Sequence, residues 1–307
     1  MAYVGEFSQG TVPNEPTIEI GTMEGIEFHQ LVRTFQTVEA LPQLPDSAIR
    51  LVQVCEDEDA TIHDAEVIVA SDPGLTAMVI RSASSARYAS TGGVPTTVHA
   101  AVMRLGLRAL KALAMTHAFR TLMSYRHESD CYDAKLLARH SVFTAIATQY
   151  LFDREYGDRG HDLEEVFTFG LLHDLGTCLF AAVAPDLFDQ CWRRAERSKS
   201  TFESSFQAIY DEPLATLGWA GASAWNLPDI FVEFLHARTH TGDPSDLQRV
   251  DDVVRMAEDF APSFGYGFEP WFEANPIIGL EEAEQKALKE AADEYCAHAF
   301  GSHHRAA

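Results

Sequence analysis

The sequence predicts an all-α protein, and two observations support that fold class. Apolar residues recur at helical spacing over most of the 307-residue chain. Apolar and polar residues never alternate cleanly over six positions, and no Asn-Gly or Asp-Gly turn lies between two apolar runs, so β-hairpins are not indicated. Hydrophobic residues make up 46% of the chain, which is enough for a sizeable buried core.

The chain begins with a polar stretch that we predict to be a tail. Residues 1–24 include "VPNEP" and show no sustained period. Helical spacing starts in "GIEFHQLVRTFQTV" at residues 25–38. The double proline of "LPQLP" then predicts a turn, after which Asp46 or Ser47 is expected to cap a second helix.

Two further helix starts carry capping signals. Thr61 and Asp64 have the spacing of a capping box. Asp72 followed by Pro73 has the usual order of a cap and a proline in the first helical turn. The segment "STGGVPTT" then breaks the chain, and helical spacing resumes at Val98.

The second half of the chain is expected to be helical as well. We predict helices at 131–152, 162–183, 201–212, 213–225, 228–236, 246–260 and 280–299. The one conspicuous irregular segment is "FAPSFGYGFEPWFEANPIIG", which combines six aromatic rings with Gly and Pro. We expect these rings to anchor the segment on the core, with a ligand-stacking loop as the alternative.

Composition limits the possible functions. The net charge of −23 disfavours nucleic-acid binding, which needs Lys and Arg against phosphates. The longest uncharged apolar stretch, "LGTCLFAAVAP", is too short to span a membrane, and the amino terminus lacks the basic start of a secretory signal. The 5 cysteines form no C-x-x-C pair. We therefore expect a cytoplasmic protein that binds neither nucleic acid nor membrane.

A local excess of bases occurs in "RLGLRALK". Arg104, Arg108 and Lys111 recur at spacings of four and three, which would place them on one helical face. Such a face is either a solvated surface or a docking face for an acidic protein or a small anionic signal. Both interpretations stay open at this point.

Six stretches together resemble a known family. They are "LPQLPDSAIRLVQVCED", "VIVASDPGLTAMVIRSASSA", "VHAAVMRLGLRAL", "ARHSVFTAIA", "FTFGLLHDLGTCLF" and "WNLPDIFVEFLH". In this order, over about residues 36–240, they resemble the HDOD domain of bacterial signalling proteins. The resemblance implies an amino-terminal helical bundle joined to a helical half related to the HD-domain phosphohydrolases.

The resemblance also suggests how the chain is divided. The expected parts are the tail at 1–24, an HDOD-like domain at 25–240 with a break between its halves near 122–130, and a helical extension at 241–307. The last helix of this extension is amphipathic, so it is expected to pack on the body or to pair with a second copy in a homodimer.

The same resemblance indicates candidate metal ligands. HD hydrolases use a His, then a His-Asp pair, then a distant Asp to hold divalent metals that activate water. His140 matches the first position, and His173 with Asp174 in "GLLHDLG" matches the pair. At the fourth position this chain has Glu258, with Asp259 as the alternate. Imidazole and carboxylate ligands would suit iron, manganese, zinc or nickel.

Two departures weaken the match to an active hydrolase. Glu258 is one methylene longer than the Asp of the pattern, and Leu214 occupies a place where relatives often have a His. Three alternatives are open for the cluster: a hydrogen-bonded structural group, a bound metal without turnover, or a working centre. We predict a non-catalytic binding or scaffold protein of signalling, acting on a protein partner or a small anionic signal. The alternative is a metal-dependent phosphohydrolase acting on a nucleotide or cyclic dinucleotide.

Overall fold

The computed structural model describes residues 28–36, 41–85, 88, 94–125, 127–157, 161–240, 246–272, 277 and 279–300, with only the backbone for 298–300. The predicted tail at 1–24 lies outside the described residues. Within the described part of the chain the regular secondary structure is helical throughout, so the all-α fold class is confirmed.

Fourteen helices form the described part of the chain: α1 (Phe28–Phe35), α2 (Asp46–Glu56), α3 (Ile62–Ser71), α4 (Pro73–Ala83), α5 (Val98–Met123), α6 (Ala134–Tyr156), α7 (Leu163–Leu172), α8 (Leu175–Val183), α9 (Pro185–Ser198), α10 (Phe202–Tyr210), α11 (Ala215–Ala224), α12 (Asp229–Ala237), α13 (Asp246–Phe264) and α14 (Glu282–Phe300). Helix α9 falls in a stretch for which the sequence patterns predicted no helix.

Two of the predicted caps are present in the amino-terminal bundle. The Thr61 side chain accepts from the Asp64 backbone N–H at 3.3 Å, and the Asp64 carboxylate accepts from the Thr61 N–H at 2.8 Å, which completes the capping box. Asp72 caps α4 by accepting from the N–H groups of Gly74 and Leu75 at 2.8 and 3.0 Å.

The cap predicted for α2 is wrong. Pro45 is the residue before the first helical turn, and no side chain caps the helix there. Asp46 is already inside the helix, and the Ser47 hydroxyl donates to the Asp72 carboxylate at 2.6 Å. Ser47 therefore ties the start of α2 to the cap of α4 instead of capping its own helix.

Helix α5 is interrupted near its start. Gly106 has φ 74° and ψ 170°, which are not helical, so α5 consists of two helical segments joined at this residue. Arg104 lies before the break, whereas Arg108 and Lys111 follow it. The prediction that these three bases share one continuous helical face is therefore wrong.

The second half of the molecule is built around α6. Helices α7, α13 and α14 pack on α6, and α8 packs on α9 and α11. The single helix predicted at 162–183 is divided into α7 and α8, with His173 and Asp174 at the division. The residues from Leu163 to Val183 are long and apolar enough to cross a membrane by composition, but 83% of the most apolar window is buried within the fold.

The two halves share one apolar core. It runs from Leu31 in α1 to Cys296 in α14. Helix α5 packs on α2, α3 and α4 and also on α7, while α1 packs on α11. The aromatic segment begins within α13 and is anchored in part as predicted: Phe264, Tyr266 and Phe268 are buried, whereas Phe272 is exposed.

Candidate functional site

His173 and Asp174 lie where the chain passes from α7 to α8. The His173 Nδ1 atom lies 2.7 Å from the carbonyl oxygen of Gly170, one turn earlier. Gly170 is required by close packing, since a Cβ there would lie 2.7 Å from the Cα of Ala145 on α6. The close contact of α7 with α6 brings His173 beside the histidine of α6.

That histidine is His140, and its ring is oriented by the aromatic segment. Its Nδ1 lies 3.0 Å from the carbonyl oxygen of Tyr266. A carbonyl oxygen only accepts, so the Nδ1 atoms of His140 and His173 both carry a proton and donate it. The two Nε2 atoms then face each other at 3.2 Å. Tyr266 was missed as a site residue because it contributes only a backbone atom.

Two carboxylates complete the cluster. The Asp174 Oδ2 lies 3.4 Å from the His173 Nε2 and 3.7 Å from the His140 Nε2. The Glu258 Oε1 on α13 lies 3.2 Å from the His173 Nε2. Ligand atoms of His140, His173 and Asp174 all lie within 4.8 Å of one another. The structure thus brings together the four residues named as first-choice ligands.

Charge within the cluster favours a proton on His173. Burial alone would lower the pKa of His173, but the carboxylates of Asp174 and Glu258 outweigh it and raise the pKa. Burial and the neighbouring His173 lower the pKa of His140. Burial would raise the pKa of Asp174, but His173 outweighs it and the pKa falls. His173 therefore holds a second proton more readily than an isolated histidine does, and His140 less readily.

An arginine that the sequence analysis did not single out adjoins this cluster. Arg238 follows α12, is only 6% exposed, and pairs with Asp251, which is 1% exposed. Its Nη2 also lies 3.4 Å from the Glu258 Oε1. Asp251 in addition accepts from the Arg255 Nε at 2.9 Å. The only sequence signal for this buried ion pair was the position of Asp251, an acid among the apolar positions of α13.

The space beside the cluster is small. A cavity of about 20 Å³ is lined by His173, Asp174, Gly176, Thr177, Glu203, Leu214, Ala215 and Arg238. It has room for about one water molecule. Leu214 is buried, and a Cβ on Gly176 would lie 2.6 Å from the Leu214 carbonyl oxygen, so α11 packs tightly over the cluster. A phosphate ester is larger than this cavity.

Arg238 weighs against a divalent metal bound by all four residues of the cluster. Two Nε2 lone pairs and the Asp174 carboxylate would suit a transition-metal ion as donor atoms. However, Glu258 Oε1, the oxygen that would be the fourth ligand, is ion-paired with Arg238. The guanidinium of Arg238 is always positively charged. A dication sharing that oxygen would face the guanidinium in a low-dielectric interior. His140, His173 and Asp174 thus offer three converging donor atoms, whereas Glu258 is already paired with Arg238.

The remaining predicted site residues lie elsewhere. Asp259, the alternate ligand, is exposed, whereas Glu258 faces the cluster. Arg104 donates to the Ala83 carbonyl oxygen at 3.1 Å. Lys111 lies between two carboxylates, those of Glu56 and Glu165. Docking of an acidic partner on these bases stays a prediction.

Arg108 is the most solvent-accessible of the three bases. Its side chain is 83% exposed and pairs with Asp162 at 2.6 Å. An exposed ion pair of this kind contributes little to stability. An acidic partner could therefore displace Asp162 from Arg108 at little cost in free energy.

The family model for the HDOD domain matches residues 41–241. The chain belongs to the HDOD domain family. The matched range of this HDOD protein holds His140, His173, Asp174 and Arg238. Glu258 and Tyr266, which complete the cluster, lie beyond it.

Solved structures share the fold of this HDOD protein. An HDOD domain protein of unknown function from Geobacter sulfurreducens is 21% identical, with a TM-score of 0.64 over 89% of this chain and 88% of that chain. A putative signal transduction protein from Marinobacter aquaeolei VT8 is 22% identical, with a TM-score of 0.63 over 85% of this chain and 60% of that chain.

A third structure has a name that indicates hydrolysis. A putative metal-dependent phosphohydrolase from Shewanella amazonensis SB2B is 19% identical, with a TM-score of 0.55 over 86% of this chain and 98% of that chain. No curated protein matches the chain. At these identities the likeness supports the fold alone.

Proposed function

We propose that this HDOD protein is a non-catalytic regulatory or scaffold protein of signal transduction, whose His and Asp cluster is a structural group. The observation that carries the proposal is the buried Arg238 guanidinium on Glu258 and Asp251. It supplies from the protein itself the positive charge that a metal would bring to these carboxylates.

Two carboxylates at the cluster are paired with protein cations without a metal. Arg238 lies within ion-pair distance of Asp251 and Glu258, and Arg255 lies within ion-pair distance of Asp251. A buried group of charges is tolerated when its members are paired and hydrogen-bonded, so this set is suited to a structural role.

One observation favours the second candidate, a metal-dependent phosphohydrolase acting on a nucleotide or cyclic dinucleotide. The Nε2 atoms of His140 and His173 converge with the Asp174 carboxylate, as the ligands of a metal site do. The small cavity and Arg238 weigh against it. A cytoplasmic location is also part of the proposal, supported by the five cysteines, which are all free.

The proposal is tested by activity and metal content together. Tag-free protein is incubated with bis(p-nitrophenyl) phosphate and with a cyclic dinucleotide, with and without added manganese, while bound metal is measured by mass spectrometry. We expect background turnover and no stoichiometric metal, because the cavity excludes the ester and Arg238 repels a dication.

Turnover and bound metal are measured in His173→Ala, in Asp174→Ala and in the control Asp252→Ala, which changes an exposed acid of α13. A copurifying phosphatase would act equally in all preparations. Turnover or bound metal that is lost in His173→Ala and Asp174→Ala but kept in Asp252→Ala would overturn the proposal in favour of the hydrolase.

A further inference from the structure

A second and much larger cavity lies between the two halves of the molecule. Its volume is about 590 Å³, and its walls come from α4, α5, α6, α7 and α14. Apolar side chains line much of it, including Met78, Leu113, Ile146, Phe167 and Leu288. Small-molecule sites have this size and this apolar character. None of its lining residues belongs to the His and Asp cluster.

Two aromatic rings pack together in the wall of this cavity. Phe167 of α7 and Tyr295 of α14 have their ring centroids 5.3 Å apart, and both line the cavity. The Tyr295 hydroxyl is hydrogen-bonded to the Thr116 hydroxyl of α5 at 3.1 Å, so contacts with α5 and α7 both hold the tyrosine in place. Aromatic rings attract cations through their π faces, and quaternary ammonium groups are the best-known ligands of this kind.

Two carboxylates flank this aromatic pair. Glu164 precedes Phe167 by one turn of α7, and its Oε1 accepts from the Tyr88 hydroxyl at 3.2 Å. Glu294 directly precedes Tyr295 on α14. Both acids line the cavity together with the two rings. Carboxylates beside an aromatic wall add a Coulomb attraction for the same cation.

The other charged residues of the lining point to the same sign of ligand. Asp153 of α6 adds a third carboxylate, and Arg81 of α4 is the only cation among the described residues that line the cavity. Arg81 is exposed, so its charge is screened by water. An anion would thus meet three carboxylates and a single screened guanidinium, and it would be repelled. The lining favours a cation with an apolar body.

We propose that this cavity binds a hydrophobic ammonium compound, with its charged head at the Phe167 and Tyr295 pair and its apolar chain among the aliphatic side chains of α5 and α6. An aliphatic chain suits a lining rich in Ala, Leu, Ile and Met. Since α14 forms one wall, the ligand would contact the amino-terminal bundle, the HD-related half and the carboxyl-terminal helix at once. This proposal does not depend on whether the His and Asp cluster is catalytic.

The test is isothermal titration of the tag-free full-length chain with decyltrimethylammonium below its critical micelle concentration. Decan-1-ol carries the same chain without a charge, and decanoate carries a negative charge. We expect one saturable site for decyltrimethylammonium, because its head is attracted by the rings and the carboxylates. Decan-1-ol should bind at least about tenfold more weakly, and decanoate more weakly still.

Matched carboxylate variants separate this site from general attraction of a cation to a protein with a net charge of −23. Asp153→Asn/Glu294→Gln removes two acids of the lining from α6 and α14. Glu155→Gln/Glu290→Gln removes two exposed acids from the same helices outside the lining. The two variants have the same net charge, and only the first should weaken binding, by about three- to tenfold.

A second pair of variants tests the cavity itself. Ala291→Trp adds a large ring to the cavity wall at an exposed position of α14, and Ala283→Trp adds the same ring to α14 outside this cavity. We expect binding to be lost in the first and kept in the second, with equal melting temperatures.

Absence of a saturable site for decyltrimethylammonium would overturn the proposal. So would decan-1-ol or decanoate binding as tightly as the ammonium compound, equal affinity in the two carboxylate variants, or unchanged binding in Ala291→Trp. Turnover is measured separately on the same preparation, so failure here is distinguishable from failure of the proposed regulatory function.

Discussion

Arg238 shows at the scale of one residue how the cluster is stabilised. A buried ion pair contributes little compared with a well-packed apolar pair, but removal of one partner leaves the other charge buried and unpaired. Asp251 is almost fully buried, and Arg238 lies between it and Glu258. The pair is therefore far more important for stability than an exposed pair of the same residue types.

We expect Arg238→Gln to lower the free energy of unfolding by up to about 3–5 kcal/mol, because the buried Asp251 then keeps only the partly exposed Arg255 as a charged partner. Urea denaturation followed by circular dichroism measures the change. Arg249→Gln is the matched control, since Arg249 forms an exposed pair with Asp246, and it should change stability by less than about 1 kcal/mol. Equal losses in the two variants would contradict the structural role of Arg238.

The roles of some single residues could be predicted from the sequence, and those of others could not. The caps at Thr61 and Asp72 were predictable because the acceptor and its backbone donors lie within three residues. His140, His173 and Asp174 were identified as candidate metal ligands through the family resemblance. Arg238 could not be found in this way, since its role depends on how α12 and α13 pack against each other.

At the scale of an element, the break in α5 depends on Gly106. Its φ of 74° and ψ of 170° lie in a region that is essentially restricted to glycine. No atom lies within 4 Å of a Cβ built at this position, so the restriction is one of backbone conformation and not of space.

Gly106→Ala is expected to lower the free energy of unfolding by about 1–3 kcal/mol, because alanine is strained in this conformation. Met103→Ala changes a residue of the same helix that is 58% exposed, and should have an effect of less than about 0.5 kcal/mol. The two are compared by urea denaturation. A Gly106→Ala protein as stable as wild type would show that the break is not needed.

The breaks were the least predictable part of the fold. Helical spacing continues through "GLLHDLGTCLF", because both α7 and α8 are buried and apolar on nearly every side. The pattern therefore gave one helix where the structure has two. Helix α9 has a proline in its first turn and an apolar face, and both are sequence signals for a helix in this stretch.

At the scale of the whole molecule, one core joins the two halves. The apolar core extends from α1 to α14, and α5 contacts helices of both halves. The four tryptophans (Trp192, Trp219, Trp225 and Trp271) all lie in the second half. Tryptophan fluorescence thus reports on that half alone, whereas far-ultraviolet circular dichroism reports on every helix.

We expect the two signals to give the same midpoint in urea, because a shared core makes the halves unfold together. The measurement is a pair of denaturation curves on one sample. A circular dichroism curve with a second transition that fluorescence does not show would mean that the amino-terminal bundle unfolds independently.

The position of Glu258 and Tyr266 has a practical consequence for where the domain ends. Family resemblance places the end of the domain at residue 241, before α13. A chain cut there would keep Arg238 but lose Asp251 and Glu258, and His140 would lose the carbonyl oxygen that orients its ring. A piece of the chain that keeps every group of the cluster therefore extends at least to Tyr266, and excision for expression or domain fusion should respect that later boundary.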